Sequence, residues 1–382
     1  MEEQRFERDA VTRLAYLMLG LWGFLLYALG PALPALRREL DVARVVVGLH
    51  TTLVAVGGIV VGVAGDRIVR RLGRRRAFWI AGTAVAAAAA TLALGRTVLV
   101  TLPASFVLGI AGALVVAIIQ ATLADRHGGL AAAAIVESNA LAVGLGAAAP
   151  LAISVAIILG SDWRAVFLAA AVFAVPALAL AYRSVTFPPA PALPDGEAPA
   201  LPTRYWFYWT ALVVFVAIEF CIVFWSTDFL ETEREFSPSA AAAGSASFLI
   251  GMTAGRIAGA RAARDVAPDR LLAAALAVTM IGFAAFWLAS VAAVAVGGLF
   301  VAGVGVSLLY PLTLTLGIAA SGGRTDAASA RASFASGTAI AIAPFVLAAV
   351  ADQLGLRSAY SIVPALLLAG ATIVLIARSR SA

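Results

Sequence analysis

Apolar residues run along this chain in stretches of roughly twenty, each closed by a short cluster of charge, Gly or Pro. A bilayer core of ~30 Å needs roughly 20 apolar residues per helix. On that scale the pattern predicts six spans near 13–33, 44–65, 77–95, 98–124, 131–159 and 163–182. Six more are predicted near 205–229, 240–260, 269–289, 291–319, 330–351 and 358–377. Between the two sets lies RSVTFPPAPALPDGEAPALPTR, residues 183–204, polar enough for water and too rich in proline for a continuous helix. The predicted organisation is an all-α membrane protein with a six-helix bundle over 1–182, a linker over 183–204 and a second bundle over 205–382.

Composition excludes the soluble alternatives. The chain is 62% hydrophobic and 13% charged, and runs rich in Ala, Leu, Val and Gly suit closely packed helices better than barrel strands. All 27 basic residues are arginine. With the N-terminus inside, twenty of them fall on inner segments and seven on outer ones. That asymmetry predicts a multi-pass protein of the plasma (inner) membrane with both termini cytoplasmic. The pI near 10.1 then reports topology, and no nucleic-acid partner is expected. MEEQRFERDA at the N-terminus is mixed in charge and unlike a secretory signal, so the first span is expected to be retained. The single cysteine, Cys221, lies within a span, which leaves no intrachain disulfide or cysteine metal cluster. No metal or other cofactor is expected.

The two halves echo one another. The Asp66-Arg67-Ile68 corner matches Gly255-Arg256-Ile257 after 189 positions, and Pro150 matches Pro344 after 194. DWRAVF, with Arg164, matches LRSAY, with Arg357, after 193. The minimal turn at Gly95-Arg96-Thr97 has a counterpart at Ser290.

The densest charge lies in GVAGDRIVRRLGRRR, residues 62–76, whose six arginines cannot lie in lipid and predict a short loop between two spans. Its order, Gly62-x-x-x-Asp66-Arg67 and then Gly73 before Arg74, Arg75 and Arg76, resembles the loop signature of the major facilitator superfamily. The commonest form lacks the extra residues Ile68 to Leu72. The resemblance implies twelve helices in two pseudo-symmetric halves, with substrate held between them near mid-membrane and exposed to each side in turn. It implies a gating role for Asp66 and Arg67 at the inner end, shared with Arg74 and with Arg256 of the second half. The plain alternative for the arginines is topological anchoring. In GMTAGRIAGARAAR, Gly255 replaces the aspartate, so the two inner gates are expected to differ.

Glu219 is the costliest residue in the chain. It stands about 14 residues into its span, or ~21 Å along the axis, where a carboxylate needs a wet cavity, a proton or a partner. Tyr208, Leu212, Phe215 and Ser226 share its face. It is read as a proton-coupling or cation-binding group, or else as a structural carboxyl bonded to a neighbouring helix. Glu137, Ser138 and Asn139 stand together in span five. Glu137 either lines the substrate path or pairs with an arginine of the 67–76 loop, and Asn139 can bond substrate or another helix. Gln120, His50, Trp22, Tyr27 and Tyr310 complete the candidate lining, each with a packing alternative. Tyr310-Pro311 is a candidate hinge. Asp228 is a candidate outer gate or a marker of the water interface, and His127 is expected to be solvated.

These residues predict a secondary active transporter, with small-molecule substrate, protons and membrane lipids as partners, acting as a monomer. No phosphate-binding Gly-x-x-x-x-Gly-Lys loop is present. The candidate lining is poor in Asn, Gln and charge, which favours export of small amphipathic or cationic compounds. Proton-coupled uptake of a small organic metabolite is the alternative. The fifth span, with Gly144, Gly146 and Pro150, carries neither the Gly-Pro nor the Gly-Gly pair frequent in the superfamily's exporters, and the first span has no acidic residue. Motifs therefore leave direction open. An intramembrane enzyme would need carboxylates or histidines at one depth, whereas Glu137 and Glu219 differ in depth and the two histidines fall on opposite sides. A sensor that moves no solute is a remote third reading.

Overall fold

The computed structural model describes residues 8–185, 187, 201–323 and 325–379, with no strand among them. Its helices are α1 (Ala10–Leu40), α2 (Arg44–Leu72), α3 (Arg74–Leu94), α4 (Val98–His127), α5 (Ala131–Ile158), α6 (Trp163–Ser184) and α7 (Thr203–Glu233). There follow α8 (Pro238–Ala262), α9 (Pro268–Leu288), α10 (Ala292–Ala319), α11 (Thr325–Leu354), the single turn α12 (Leu356–Ala359) and α13 (Ile362–Ser379). Among the described residues, ten segments are long and apolar enough to cross a bilayer, with α12–α13 counted as one. Large apolar side chains are left outside: Leu99 is 84% and Val172 69% exposed. Such positions suit hydrocarbon rather than water as the solvent. Of the expected linker, α6 takes up residues 183 and 184 and α7 takes up 203 and 204, while 186 and 188–200 lie outside the described residues.

The expected loop over 62–76 is a correction. Asp66 to Leu72 continue α2, and the only break before α3 is Gly73. Gly73 has φ of 75° and ψ of 148°, a conformation nearly confined to glycine that costs an L side chain roughly 1–3 kcal/mol. The arginines can stay helical because their stems lie along the helix while the guanidinium heads reach out to water.

Two compact units emerge. One holds the chain up to Ala32 and from Leu53 to the end of α6; the other holds Leu33–Thr52 and everything from α7 onward. In the first, α3 packs on α4 and α6, and α4 on α5. In the second, α10 packs on α7, α8 and α9, while α7 packs on α11 and α13. α7 is buried without interruption from Phe215 to Leu230. Glycines set the closest crossings. A Cβ on Gly109 of α4 would run into the Val54 carbonyl of α2, and a Cβ on Gly57 would meet the Phe106 and Ile110 backbone. In the second unit, Gly251 of α8 faces the Phe300 carbonyl and Gly303 of α10 faces the Phe248 carbonyl. These pairs repeat at the offset that separates Pro150 from Pro344.

One expected correspondence does not carry over. Arg164 is buried and donates to the carbonyls of Ala93 and Gly95 at the end of α3, with its guanidinium 4.8 Å from the Trp163 ring centroid. Its sequence counterpart Arg357 is exposed. At the end of α9 the carbonyl of Trp287 is met instead by Arg234, 2.7 Å away. Arg234 follows α7 directly and reaches that helix end first.

Candidate functional site

Glu219 is buried on α7, at 8% exposure. Tyr310 of α10 lies within electrostatic reach of it and near Ser336 of α11, whose hydroxyl donates to the Ala332 carbonyl at 3.3 Å. Three helices of one unit therefore bring a carboxyl, a phenol and a hydroxyl together. Beside them, Trp209, Val213, Tyr310 and Leu314 pack on Leu212, Ala332 and Ala335, and the Trp209 indole donates to the Arg331 carbonyl at 2.8 Å. Phe215 points elsewhere: its ring lies on Gly370 of α13. Ser226, two turns along α7, is buried with no hydrogen-bond partner for its hydroxyl among the described residues. No group of His, Cys, Asp and Glu among the described residues could hold a metal ion.

A second cluster joins the corner between α1 and α2 to α7 and α11. Asp228 is buried and takes Arg44 Nε on one carboxylate oxygen at 2.7 Å and Arg37 on the other at 3.4 Å. Glu231, one turn on, pairs with Arg38. Asp352 accepts from the backbone N–H groups of Arg44 and Val45 at 3.0 and 2.7 Å, capping the start of α2. Trp225 donates to the Pro344 carbonyl at 3.0 Å and stands against Gly48. His50, buried nearby, bonds through Nδ1 to the Val47 carbonyl.

At the opposite end of α2, Asp66 and Arg67 are exposed and form no ion pair among the described residues. Arg74 is buried and meets Asp125 of α4 at 2.7 Å. In the second unit Arg256 is half-buried. Gly255 is required there, since a Cβ would strike the Val304 carbonyl and the Ser307 hydroxyl; an aspartate could not take its place.

Glu137 pairs with Arg8 at 2.8 Å and accepts from the Tyr16 hydroxyl at 3.1 Å. Among the described residues, its cation comes from the chain just before α1 rather than from the arginines of 67–76. Asp9 caps α1, accepting from the Thr12 N–H and hydroxyl and pairing with Arg126. Burial pushes the Asp9 carboxyl up, yet these hydrogen bonds outweigh it and hold it below its ordinary value. His127 is buried rather than solvated, because Thr12 covers it and bonds to Nε2 at 2.9 Å. Asn139 turns back to its own helix, donating to the Ile135 carbonyl. Gln120 is half-buried. The Trp22 ring lies against Gly112 and the Tyr27 ring against Gly146. Tyr310-Pro311 sits within an uninterrupted α10.

Sequence reasoning overlooked Ser336, Asp352, Glu231, Arg37, Arg38, Arg44 and Arg8. For the three corner arginines a signal existed: they are three of only seven assigned to outer segments, and all three sit in one short stretch.

A search of curated proteins finds no match. Solved structures share the fold. A bacterial homologue of the human lysosomal transporter Spinster, inward-facing and unoccupied, is 14% identical, with a TM-score of 0.74 over 97% of this chain and 95% of that one. The nucleoside transporter NupG is 11% identical, with a TM-score of 0.76 over 97% and 98%. A D-xylose-proton symporter is 14% identical, with a TM-score of 0.74 over 95% and 96%. The Major Facilitator Superfamily matches residues 15–344. That match spans helices of both units, and with the helical fold it assigns the chain: this protein is a multi-pass membrane transporter of the Major Facilitator Superfamily.

Proposed function

We propose that the protein is a proton-coupled secondary transporter that exports small amphipathic or cationic compounds across the plasma membrane by alternating access. The observation that carries this reading is Glu219, a carboxyl buried at mid-span and set beside Tyr310, Ser336 and an apolar, aromatic wall. Among the described residues no arginine lies in the middle third of any long helix, so an anion would find no fixed counter-charge there. A cation would be met by Glu219, and a proton could replace it on the same carboxyl, which gives exchange from one group. The two bundles, 1–182 and 205–382, would move about this site. Both termini lie in the cytoplasm in this reading, which places the α1–α2 corner outside and the Arg74–Asp125 pair inside. Asp228 is then the hub of the outer gate, and Asp66 with Arg67 acts at the inner one. The protein works as a monomer, binds no cofactor and catalyses no covalent reaction.

The test is a thermal-shift screen of the purified protein in detergent against lipophilic cations on one side and sugars, nucleosides, amino acids and carboxylates on the other. A ligand that binds the folded state raises the melting temperature with its concentration. Hits among the cations, abolished by Glu219→Gln, support the reading. Hits confined to the polar metabolites would make the protein an uptake carrier.

A further inference from the structure

Within the first unit, the seam between α3 and α6 opens outward into a groove of about 600 Å³. Its floor is short and buried, with Ala86 on α3 and Ala171 on α6, and its rim on α6 is Val172 and Val175, both well exposed. Two contacts fix the helices to either side of it. Leu178 lies where a Cβ on Gly82 would stand, and Arg164 donates to the carbonyls of Ala93 and Gly95. The groove offers a polar ligand little to hold, since Thr83 in its wall turns its hydroxyl to the Trp79 carbonyl of its own helix at 2.8 Å. Carbon walls gain contact only from carbon, so hydrocarbon is the filling they suit. On α3 the lining runs from Trp79 to Ala90, a rise of ~16 Å. One leaflet's share of a bilayer core is ~15 Å.

One end of this groove is basic. Of the three arginines that open α3, Arg74 turns inward to Asp125, while Arg75 and Arg76 are exposed. They stand four and three residues before Trp79, the spacing that puts side chains on one helix face. Their stems lean toward the start of α3, out of the groove and toward water. Trp79 marks the depth, since indole rings gather at the level of lipid headgroups. The second unit supplies a contrast. α9 has the same 21 residues as α3 and starts at 268 against 74, yet it opens with Pro268-Asp269-Arg270. Asp269 there pairs with Arg378. A helix at this place in the repeat can thus begin without the cationic mouth. We propose that the α3–α6 groove binds one anionic phospholipid, its acyl chain laid from Trp79 to Ala90 and its phosphate held by Arg75 and Arg76. The guanidinium fork matches phosphate geometry. A zwitterionic lipid brings the same phosphate together with an ammonium that the two arginines repel, so the net negative headgroup is preferred. The site requires a membrane-spanning chain and is independent of orientation, direction and transport.

The experiment uses the full chain in phosphatidylcholine vesicles with a variable share of phosphatidylglycerol, one lipid or the other brominated on its acyl chains. Bromine quenches tryptophan at contact, and the Trp79 share of the emission is the difference between the unmodified chain and Trp79→Phe. Brominated phosphatidylglycerol is expected to quench that share at about one-tenth of the mole fraction that brominated phosphatidylcholine needs. Arg75→Gln with Arg76→Gln should bring the two lipids together. Ala87→Phe, which fills the groove from its exposed rim on α3, should abolish the preference. Ile80→Phe, on the same helix but outside the groove, should keep it. Equal quenching by the two lipids would mean that only bulk lipid touches the groove, and would overturn the proposal. A preference that survives the arginine substitutions or Ala87→Phe would overturn it as well. A second readout needs no change at Trp79: the amount of spin-labelled lipid immobilised per chain. About one phosphatidylglycerol in excess of phosphatidylcholine should be lost with Ala87→Phe, and an excess that Ala87→Phe leaves intact, or no excess, would contradict the site.

Discussion

Arg44 and Asp228 lie on different helices, α2 and α7, yet Nε stands 2.7 Å from Oδ2, with Arg37 on the other oxygen of the same carboxylate. One side chain that is 1% exposed thus answers two arginines. Removing it strands two partly buried cations, whereas in the Arg8–Glu137 pair both side chains stand in solvent.

Asp228→Ala is therefore expected to cost about 3–5 kcal/mol, the range for breaking one side of a buried pair. Arg8→Ala, which breaks a pair exposed on both sides, should cost less than about 1 kcal/mol. Thermal unfolding of both variants in detergent checks the contrast, and equal losses would show that burial of Asp228 is not what matters.

Arg164 and Arg357 occupy matching places in the sequence and different places in the fold. Arg164→Ala leaves the last carbonyls of α3 without their donor inside the protein, a loss of about 2–3 kcal/mol for charged hydrogen bonds to buried groups. Arg357→Ala should stay within about 0.5 kcal/mol, as for an ordinary surface change. The unfolding midpoints and the yield of folded protein from membranes read this directly.

The glycines of the 62–76 signature should separate in the same way. Gly73→Ala forces a side chain into a backbone conformation nearly confined to glycine and is expected to destabilise by roughly 1–3 kcal/mol. Nothing lies within 4 Å of a Cβ on Gly62, so Gly62→Ala should be neutral or gain up to ~1 kcal/mol of helix propensity. If Gly62→Ala abolishes transport while raising the melting temperature, that glycine serves a conformation other than this one.

Asp66 is exposed and forms no ion pair among the described residues, so Asp66→Asn should leave the melting temperature unchanged. Its proposed role in the inner gate predicts that the same variant transports poorly. Normal transport by Asp66→Asn would remove it from the gate.

How far the sequence could be read follows from the range of the interactions. Spans and their ends are written locally, in apolar length and in Gly or Pro, and the twelve runs reappear as helices with small shifts. The stretch from Ile68 to Leu72 misled because arginines suggest water, and a helix can reach water without ending. Glu219 was legible as a mid-span carboxyl because its cost in lipid depends only on its own helix. Its neighbours Tyr310 and Ser336 were not jointly legible, since which faces of α7, α10 and α11 meet is fixed by packing across the whole unit. His127 and Glu137 turned on Thr12 and Arg8, and no local pattern announces a contact more than a hundred positions away. The glycine crossings at Gly57·Gly109 and Gly251·Gly303 are the exception: both keep the repeat offset and could have been found by aligning the halves.

In the proposed mechanism Glu219 couples protons to the movement of a cation. The most direct measurement reconstitutes the protein and its Glu219→Gln variant into vesicles, imposes a pH gradient and follows accumulation of a lipophilic cation such as tetraphenylphosphonium. Coupling through Glu219 predicts gradient-driven accumulation by the unmodified protein, dissipation of the gradient as the cation moves, and loss of both in Glu219→Gln. Gradient-driven accumulation that survives in Glu219→Gln would contradict it.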